Sequence, residues 1–299
     1  MQPNHETLAV LKSGRSGLDR FGASRLWLAH RACVFFGLLT LVACKQSKVA
    51  PESRAQTATS EDKLVVFAAA SLRAPFTALA ENFKQSHAGV TLTFSFAGTQ
   101  ELRTQLEQGA DADVFASADQ RHMSELEKSG YVSGPVLFAR NEPVLVVAKE
   151  SAAIVHGLSD LPAVKRVIVG EPEVPIGRYT LQILDRASTL YGADFRARVE
   201  VKIVSRELNV RQVFSKVSLG EADAGFVYRT DAQGAENQVK VLTIPPAINV
   251  IAEYPIAVVA KAKHPMLARG WVTLLLGKDG QEALNHAGFL APSGSGDRP

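Results

Sequence analysis

Short apolar segments alternate with amphipathic helical segments from residue 64 to about residue 290, and few folds accommodate this alternation. In the first repeat, the apolar run 64–67 leads through three alanines to Ser71, and a helix is predicted to begin near Pro75. The helical spacing of Phe76 and Phe83 predicts that they lie on one apolar face of this helix. Strands that alternate with helices are typical of an α/β fold with a largely parallel sheet. The sequence therefore predicts an α/β protein.

Ser71 lies in the predicted turn between the first strand and the first helix. Pro75 suits the first turn of a helix, because the N–H that proline lacks has no partner there. The first N–H groups of a helix are free to bind an anion, and the small alanines before Ser71 let a ligand approach the backbone. Taken alone, a serine in such a turn is more often a helix N-cap.

The first 43 residues have the pattern of an export signal. Five basic residues precede the apolar run 34–43, which is too short to span a bilayer. The segment LVAC, ending at Cys44, looks like a bacterial lipobox, which predicts that Cys44 is lipidated. The alternative is an ordinary signal peptide cleaved nearby. The polar residues 44–61 are predicted to be a flexible tether.

Charge and cysteine content argue against a nucleic-acid-binding protein and against a fold stabilised by disulfides. Without residues 1–43, the chain carries 28 basic and 28 acidic residues, so its net charge gives no case for binding nucleic acid. Cys33 lies within the predicted signal, so no disulfide is expected within the mature chain. Its core must hold the fold.

The order of the segments predicts two lobes. Lobe 1 comprises residues 62–140 with 254–291, and lobe 2 comprises residues 141–253. The chain crosses between them near residues 139–141 and 248–254, and these crossings are expected to form a hinge. Residues 171–179 are predicted to be a loop that leads into a helix starting at Tyr179. The tail 292–299 is predicted to be disordered.

Six segments, in this order, closely resemble those of periplasmic molybdate-binding proteins, the solute-capturing components of molybdate ABC importers. They span almost all of residues 63–290. They are VFAAASL (66–72), FAGT (96–99), ADVFASAD (112–119), GEPEVPIG (170–177), GFVY (225–228) and EYPIAVV (253–259).

This resemblance implies two doubly wound α/β lobes joined by a two-strand hinge, the type II periplasmic-binding-protein architecture, which close over one tetrahedral oxyanion. It also implies five ligand-binding positions. Thr99 stands where the family usually has serine, and Ile176 stands where alanine is common. The implied donors are the hydroxyl and N–H of Ser71, the hydroxyl of Thr99, the backbone N–H groups of Ile176 and Val210, and the phenol of Tyr228.

The chemistry of molybdate agrees with such a site. Molybdate is a fully deprotonated dianion near neutral pH and only accepts hydrogen bonds, so neutral donors at turns and helix N-termini suffice to bind it. The resemblance thus predicts a non-enzymatic, monomeric, periplasmic protein, and the lipobox-like segment adds the prediction of a lipid anchor. It would deliver molybdate, and also tungstate, to an ABC permease in the inner membrane, with no cofactor and no cation site.

Two alternatives remain open at this stage. One is a receptor for sulfate or another tetrahedral oxyanion. The other is a serine hydrolase that uses Ser71, although the sequence shows no base for it and no G-x-S-x-G motif. Asp113 and Asp119 are interpreted as strand-end and turn carboxylates rather than metal ligands. Arg178 is interpreted as a solvated loop charge, with a role at the mouth of the pocket as the alternative.

Overall fold

A computed structural model of the chain describes residues 62–292, which form a mixed α/β fold with two five-stranded sheets. The predicted signal peptide, the tether with Cys44 and the tail from residue 293 lie outside the described residues. Within residues 62–292, no helix has the length and apolar character needed to cross a membrane.

Ten strands and nine α-helices make up the described residues. The strands are β1 (Lys63–Ala69), β2 (Thr91–Ala97), β3 (Val114–Ala116), β4 (Val132–Asn141), β5 (Pro143–Ala148), β6 (Val167–Gly170), β7 (Ile203–Glu207), β8 (Ala224–Tyr228), β9 (Val239–Thr243) and β10 (Ala252–Val259). The α-helices are α1 (Arg73–Ser86), α2 (Thr99–Glu107), α3 (Gln120–Lys128), α4 (Pro175–Tyr191), α5 (Phe195–Glu200), α6 (Val210–Ser218), α7 (Arg229–Ala232), α8 (Pro265–Leu276) and α9 (Lys278–His286).

Both sheets are mixed, but in each of them four strands run in one direction and a single strand, β10 or β5, runs against them, which agrees with the predicted largely parallel sheet. The first sheet has the order β2-β1-β3-β10-β4, and the second has the order β7-β6-β8-β5-β9. In each sheet two pairings are parallel and two are antiparallel. In the first sheet both antiparallel pairs involve β10, the strand through which the chain returns to that sheet, which runs opposite to β3 and β4.

The chain passes between the two sheets at two places. Only Glu142 separates β4 from β5, and residues 244–251 separate β9 from β10. Asn141 at the end of β4 lies opposite Ala252 at the start of β10, so the two passages are adjacent. The crossings occur near the predicted positions, although residues 139–141 belong to β4 itself. The exact lobe boundaries stay a prediction.

An aromatic cluster fixes α1 on the first sheet. The predicted apolar face of α1, which includes Phe76 and Phe83, is fully buried. The ring of Trp271 packs edge-on against these two phenylalanines, with centroids 5.4 and 5.5 Å away. Such pairs contribute about 0.5–1.5 kcal/mol beyond their buried area. This packing fixes the short 3-10 turn at residues 70–72, which contains Ser71.

Helix α4 begins four residues earlier than predicted, at Pro175 instead of Tyr179. Proline fits the first helical position because its fixed φ is already helical. Gly177 lets this turn pack against the backbone of β6 and its following residue, where a Cβ would overlap the carbonyl oxygens of Gly170 and Glu171. As a result, Ile176 lies in the first turn of a helix, and Arg178 lies on the helix and not in a loop.

Candidate anion-binding site

One small cavity lies at the carboxyl ends of strands from both sheets, where α/β proteins commonly bind ligands. The volume of the cavity, taken as the space open to the centre of a water-sized sphere, is about 20 Å³. A single water needs roughly 10–15 Å³ by this measure, so a guest of a few heavy atoms fits and a sugar or peptide does not. The lining residues are Ala69, Ala70, Ser71, Ala97, Gly98, Thr99, Ala118, Val174, Pro175, Ile176, Asn209, Val210 and Tyr228.

Four helical segments begin at this cavity: the 3-10 turn that leads into α1, and the helices α2, α4 and α6. The N-cap residues of the first three, Ala69, Gly98 and Val174, make no side-chain capping bond. The N–H groups in the first turn of a helix have no acceptor within that helix, and the positive end of the helix dipole lies beside them. The cavity therefore has the electrostatics of an anion site.

At the start of α6, Asn209 is the N-cap. Its side-chain oxygen accepts a hydrogen bond from the N–H of Gln212 at 3.1 Å, so the N–H of Val210 keeps no partner inside the helix. Sequence reasoning did not include Asn209 in the site. An asparagine directly before an apolar helical run is a recognisable N-cap signal.

The hydroxyl of Thr99 is oriented as a donor. Its Oγ1 accepts a hydrogen bond from the backbone N–H of Ala118 at 3.1 Å. Because the oxygen accepts there, its own proton is free to point at a guest in the cavity. The threonine at this position thus provides the hydroxyl donor that serine would provide.

Tyr228 supplies a buried hydroxyl that lacks a partner. Its side chain is 1% exposed, and its Oη makes no hydrogen bond to any described residue. Leaving a polar group buried and unpaired costs about 1–3 kcal/mol. Burial raises the pKa of this phenol well above its usual value, so the group stays protonated. Its proton is therefore available for a hydrogen bond to a guest.

The Ser71 hydroxyl has a neutral partner. Its Oγ lies 2.9 Å from the hydroxyl oxygen of Tyr254, and no described histidine or carboxylate is hydrogen-bonded to it. A nucleophilic serine requires an adjacent base. The hydrolase alternative therefore receives no support from the geometry around Ser71.

The structure brings all five predicted positions to this one cavity, and none of the described residues that line it is charged. Ser71 and Thr99 belong to the side of the first sheet, while Ile176, Val210 and Tyr228 belong to the side of the second. That they bind a ligand stays a prediction.

A charged pair crosses between the sheets beside the cavity. The Nη2 of Arg178 on α4 lies 3.0 Å from Oδ2 of Asp119, whose side chain is fully buried. Asp119 also caps α3, since its Oδ1 accepts a hydrogen bond from the N–H of His122. The interpretation of Arg178 as a solvated loop charge is thus wrong, because this side chain is about two-thirds buried and paired.

Both carboxylate oxygens of Asp113, the residue directly before β3, bind backbone N–H groups. One of its oxygens accepts a hydrogen bond from the N–H of Val65, and the other accepts one from the N–H of His264. Among residues 62–292, no cluster of three or more histidine, cysteine or acidic side chains is placed to hold a metal ion.

Two further contacts join the sheets near the cavity. The Nε2 of His122 lies 2.8 Å from the carbonyl oxygen of Glu173, and the Nε2 of Gln100 donates to the carbonyl oxygen of Leu208 at 2.7 Å. Burial is the main cause that lowers the pKa of His122. The imidazole is therefore neutral at physiological pH and donates from Nε2 to this carbonyl.

Gly98 lies at this contact, and a Gly98→Ala substitution is expected to raise the ligand Kd about tenfold. The added Cβ would overlap the carbonyl oxygen of Leu208, which belongs to the backbone and cannot swing away. Titration calorimetry with the ligand measures the effect. Gly157→Ala is the matched control, because its Cβ would meet nothing closer than 3.8 Å. An unchanged Kd in Gly98→Ala would contradict the role of this contact.

A second expected result concerns Asp231, a buried residue that accepts a hydrogen bond from the N–H of Tyr228 at 3.4 Å. Burial raises its pKa from 3.8 to about 7, despite the opposing influence of Arg211. The folded state therefore holds a proton that the unfolded state has lost, and stability declines as pH rises from 3.8 to about 7. Asp231→Asn removes this decline.

Urea unfolding of both unliganded proteins across this pH range measures the difference. The stability of Asp231→Asn relative to the unmodified protein should rise with pH and become constant above about 7. A difference that is independent of pH would contradict the raised pKa.

With the geometry of the site established, comparison with known proteins identifies the family. The family described as bacterial extracellular solute-binding proteins matches residues 64–290, nearly all of the described chain. The chain belongs to this family. A small cavity with walls from two sheets is consistent with the capture of a solute.

Individual relatives within and around this solute-binding family are named for oxyanions. The chain is 39% identical over 255 residues to the molybdate-binding protein ModA of Mycobacterium tuberculosis strain H37Rv, with 84% of this chain and 93% of the relative covered. The Azotobacter vinelandii periplasmic molybdate-binding protein superposes with a TM-score of 0.67 at 20% identity, covering 77% of this chain and all of that one.

A third relative is the sulfate-binding protein SubI of Mycobacterium tuberculosis, with a TM-score of 0.71 at 19% identity over 78% of this chain and 88% of that one. At such identities, the two solved structures establish the fold of this solute-binding protein and not its solute. They confirm the predicted α/β architecture of the periplasmic binding proteins.

Proposed function

We propose that this solute-binding protein captures molybdate in the cavity between its two sheets and delivers it to an ABC permease, without catalysing a reaction. The observation that carries the proposal is a cavity whose described lining residues are all uncharged and include the buried, unpartnered hydroxyl of Tyr228. The high identity to a relative named for molybdate supports the same solute.

The donor set matches a fully deprotonated tetrahedral dianion. The hydroxyls of Ser71, Thr99 and Tyr228 and the backbone N–H groups of Ile176 and Val210 would all donate, and the helix starts would supply positive potential. Hydrogen phosphate is disfavoured, because its O–H would replace one of these donated hydrogen bonds and would require a hydroxyl of the site to accept instead of donate. Tungstate has the same charge and shape as molybdate and is expected to bind as well.

We further propose that the protein acts as a monomer in the periplasm, anchored to a membrane by a lipid on Cys44. The lipobox-like segment before Cys44 and the polar residues after it support this location. Membrane fractionation of cells that produce the full chain or its Cys44→Ser variant tests the anchor. Recovery of both proteins in the same soluble fraction would contradict it.

Titration calorimetry of the purified protein with molybdate, tungstate, sulfate and phosphate tests the choice of solute. We expect molybdate and tungstate to bind with similar Kd values, sulfate more weakly, and phosphate most weakly. Sulfate binding as tight as molybdate binding would assign the protein to a broader oxyanion specificity. Absence of binding for all four anions would overturn the proposal.

A further inference from the structure

A chain of buried hydrogen-bonding groups lies behind the Ser71 hydroxyl. The hydroxyl oxygen of Tyr254 is 2.9 Å from Oγ of Ser71 and 3.5 Å from Nδ2 of Asn141. The side chains of Asn141 and Tyr254 are fully buried. Tyr254 does not line the cavity, so it would act on a guest only through Ser71.

The orientation of Asn141 is fixed by its other contacts. Its Oδ1 accepts a hydrogen bond from the N–H of Glu142 at 2.9 Å, and its Nδ2 donates to Oγ1 of Thr230 at 2.8 Å. The amide nitrogen must therefore face Tyr254, and an amide nitrogen only donates.

This orientation decides the direction of the whole chain of bonds. Because the Asn141 nitrogen cannot accept, Oγ of Ser71 is the one hydrogen-bonded neighbour among the described residues that can take the proton of the buried Tyr254 hydroxyl. Ser71 then accepts at its oxygen, and its own proton is left to point into the cavity. The Thr99 oxygen likewise accepts a hydrogen bond, in this case from the backbone N–H of Ala118.

We propose that Tyr254 is a positioning residue that directs the proton of the Ser71 hydroxyl into the cavity, and so favours anions without a proton over anions that carry one. The inference rests on the proposed capture of a deprotonated oxyanion. A serine that is free to rotate can accept a hydrogen bond from hydrogen phosphate as readily as it donates one. A serine whose oxygen already accepts from Tyr254 has one acceptor position left instead of two, so Tyr254 shifts the selectivity toward unprotonated anions without touching the guest.

The substitution Tyr254→Phe tests this role, since it keeps the ring that packs against Tyr228 and Phe289. We expect the molybdate Kd to rise about fivefold, the loss of one oriented hydrogen bond. The phosphate Kd should rise less or fall, so that the ratio of phosphate Kd to molybdate Kd decreases. A purely structural defect would weaken both anions equally and leave the ratio unchanged.

A double-mutant cycle shows whether Tyr254 acts through Ser71. In a Ser71→Ala background, Tyr254→Phe should add little further loss of molybdate affinity. In a Thr99→Ala background, the matched control, it should retain its full cost, because Thr99 belongs to a separate set of bonds.

Two results would overturn the inference: an unchanged molybdate-to-phosphate selectivity in Tyr254→Phe, or an equal cost in both backgrounds. If the unmodified protein binds no oxyanion, both the proposed function and the inference about Tyr254 are wrong. If the unmodified protein binds molybdate and Tyr254→Phe binds with the same Kd and selectivity, only the role of Tyr254 fails.

Discussion

Substituting phenylalanine for Tyr228 is expected to raise the molybdate Kd about tenfold to a hundredfold, while the unliganded protein keeps or gains thermal stability. A hydrogen bond to a charged group contributes about 1.5–3 kcal/mol, and phenylalanine removes only that bond. The ring contacts with Tyr179 and Tyr254, with centroids 6.4 and 5.8 Å away, are preserved. Stability should not fall, because the lost hydroxyl has no partner in the folded protein.

Calorimetric titration and thermal unfolding of the unliganded protein measure the two parts of this prediction. Tyr131→Phe is the control, since its hydroxyl donates to the carbonyl oxygen of Glu107 and lies away from the cavity lining. An unchanged Kd in Tyr228→Phe would remove Tyr228 from the site. A lower Kd would show that its hydroxyl weakens the binding of molybdate.

Arg178→Met is expected to raise the molybdate Kd about a hundredfold. In the structure, Asp119 is buried and its partner Arg178 comes from the other sheet. When the two sides separate, water can solvate the Asp119 carboxylate. Without Arg178, closure of the two sides over a ligand would bury the Asp119 carboxylate unpaired, which is costly. This negative charge would also lie one residue from Ala118, which lines the cavity. The partial exposure of Arg178 reduces the cost below that of a fully buried pair.

A second substitution separates the charge effect from the loss of packing. Adding Asp119→Asn to Arg178→Met removes the unpaired charge and keeps the capping oxygen for α3, so the Kd should recover to within about tenfold of the unmodified protein. Calorimetry on the single and double variants measures this recovery. No recovery would mean that Arg178 acts by a route other than its pairing with Asp119.

Local pattern was sufficient for several parts of the fold. The helical spacing of Phe76 and Phe83 predicted the buried face of α1, because an amphipathic helix is specified by residues close together in sequence. The turn that holds Ser71 was likewise predicted from a strand, three alanines and a proline. The five cavity positions came from the ordered resemblance, since Ile176 and Val210 would act through backbone groups that no side-chain chemistry reveals.

Other parts depend on residues that are distant in the chain. The antiparallel pairing of β10 with β4 joins residues more than 110 positions apart, such as Ala252 and Asn141, and neither strand's pattern specifies its neighbour. The Arg178–Asp119 pair spans 59 positions and the Ser71–Tyr254 contact spans 183. A charge or a hydroxyl has a defined partner only after the sheets are assembled, so sequence reasoning treated Arg178 as solvated and assigned Tyr254 no role.

The division of the cavity wall between two sheets has a consequence for the kinetics of transport. A guest enclosed by residues from both sides cannot depart until those sides come apart, so the rate of its departure depends on breaking contacts such as Arg178–Asp119 as well as on its own bonds. Two oxyanions of equal charge and shape should then leave at nearly equal rates. A permease that pulls the two sides apart would accelerate the unloading of either one without recognising the cargo itself.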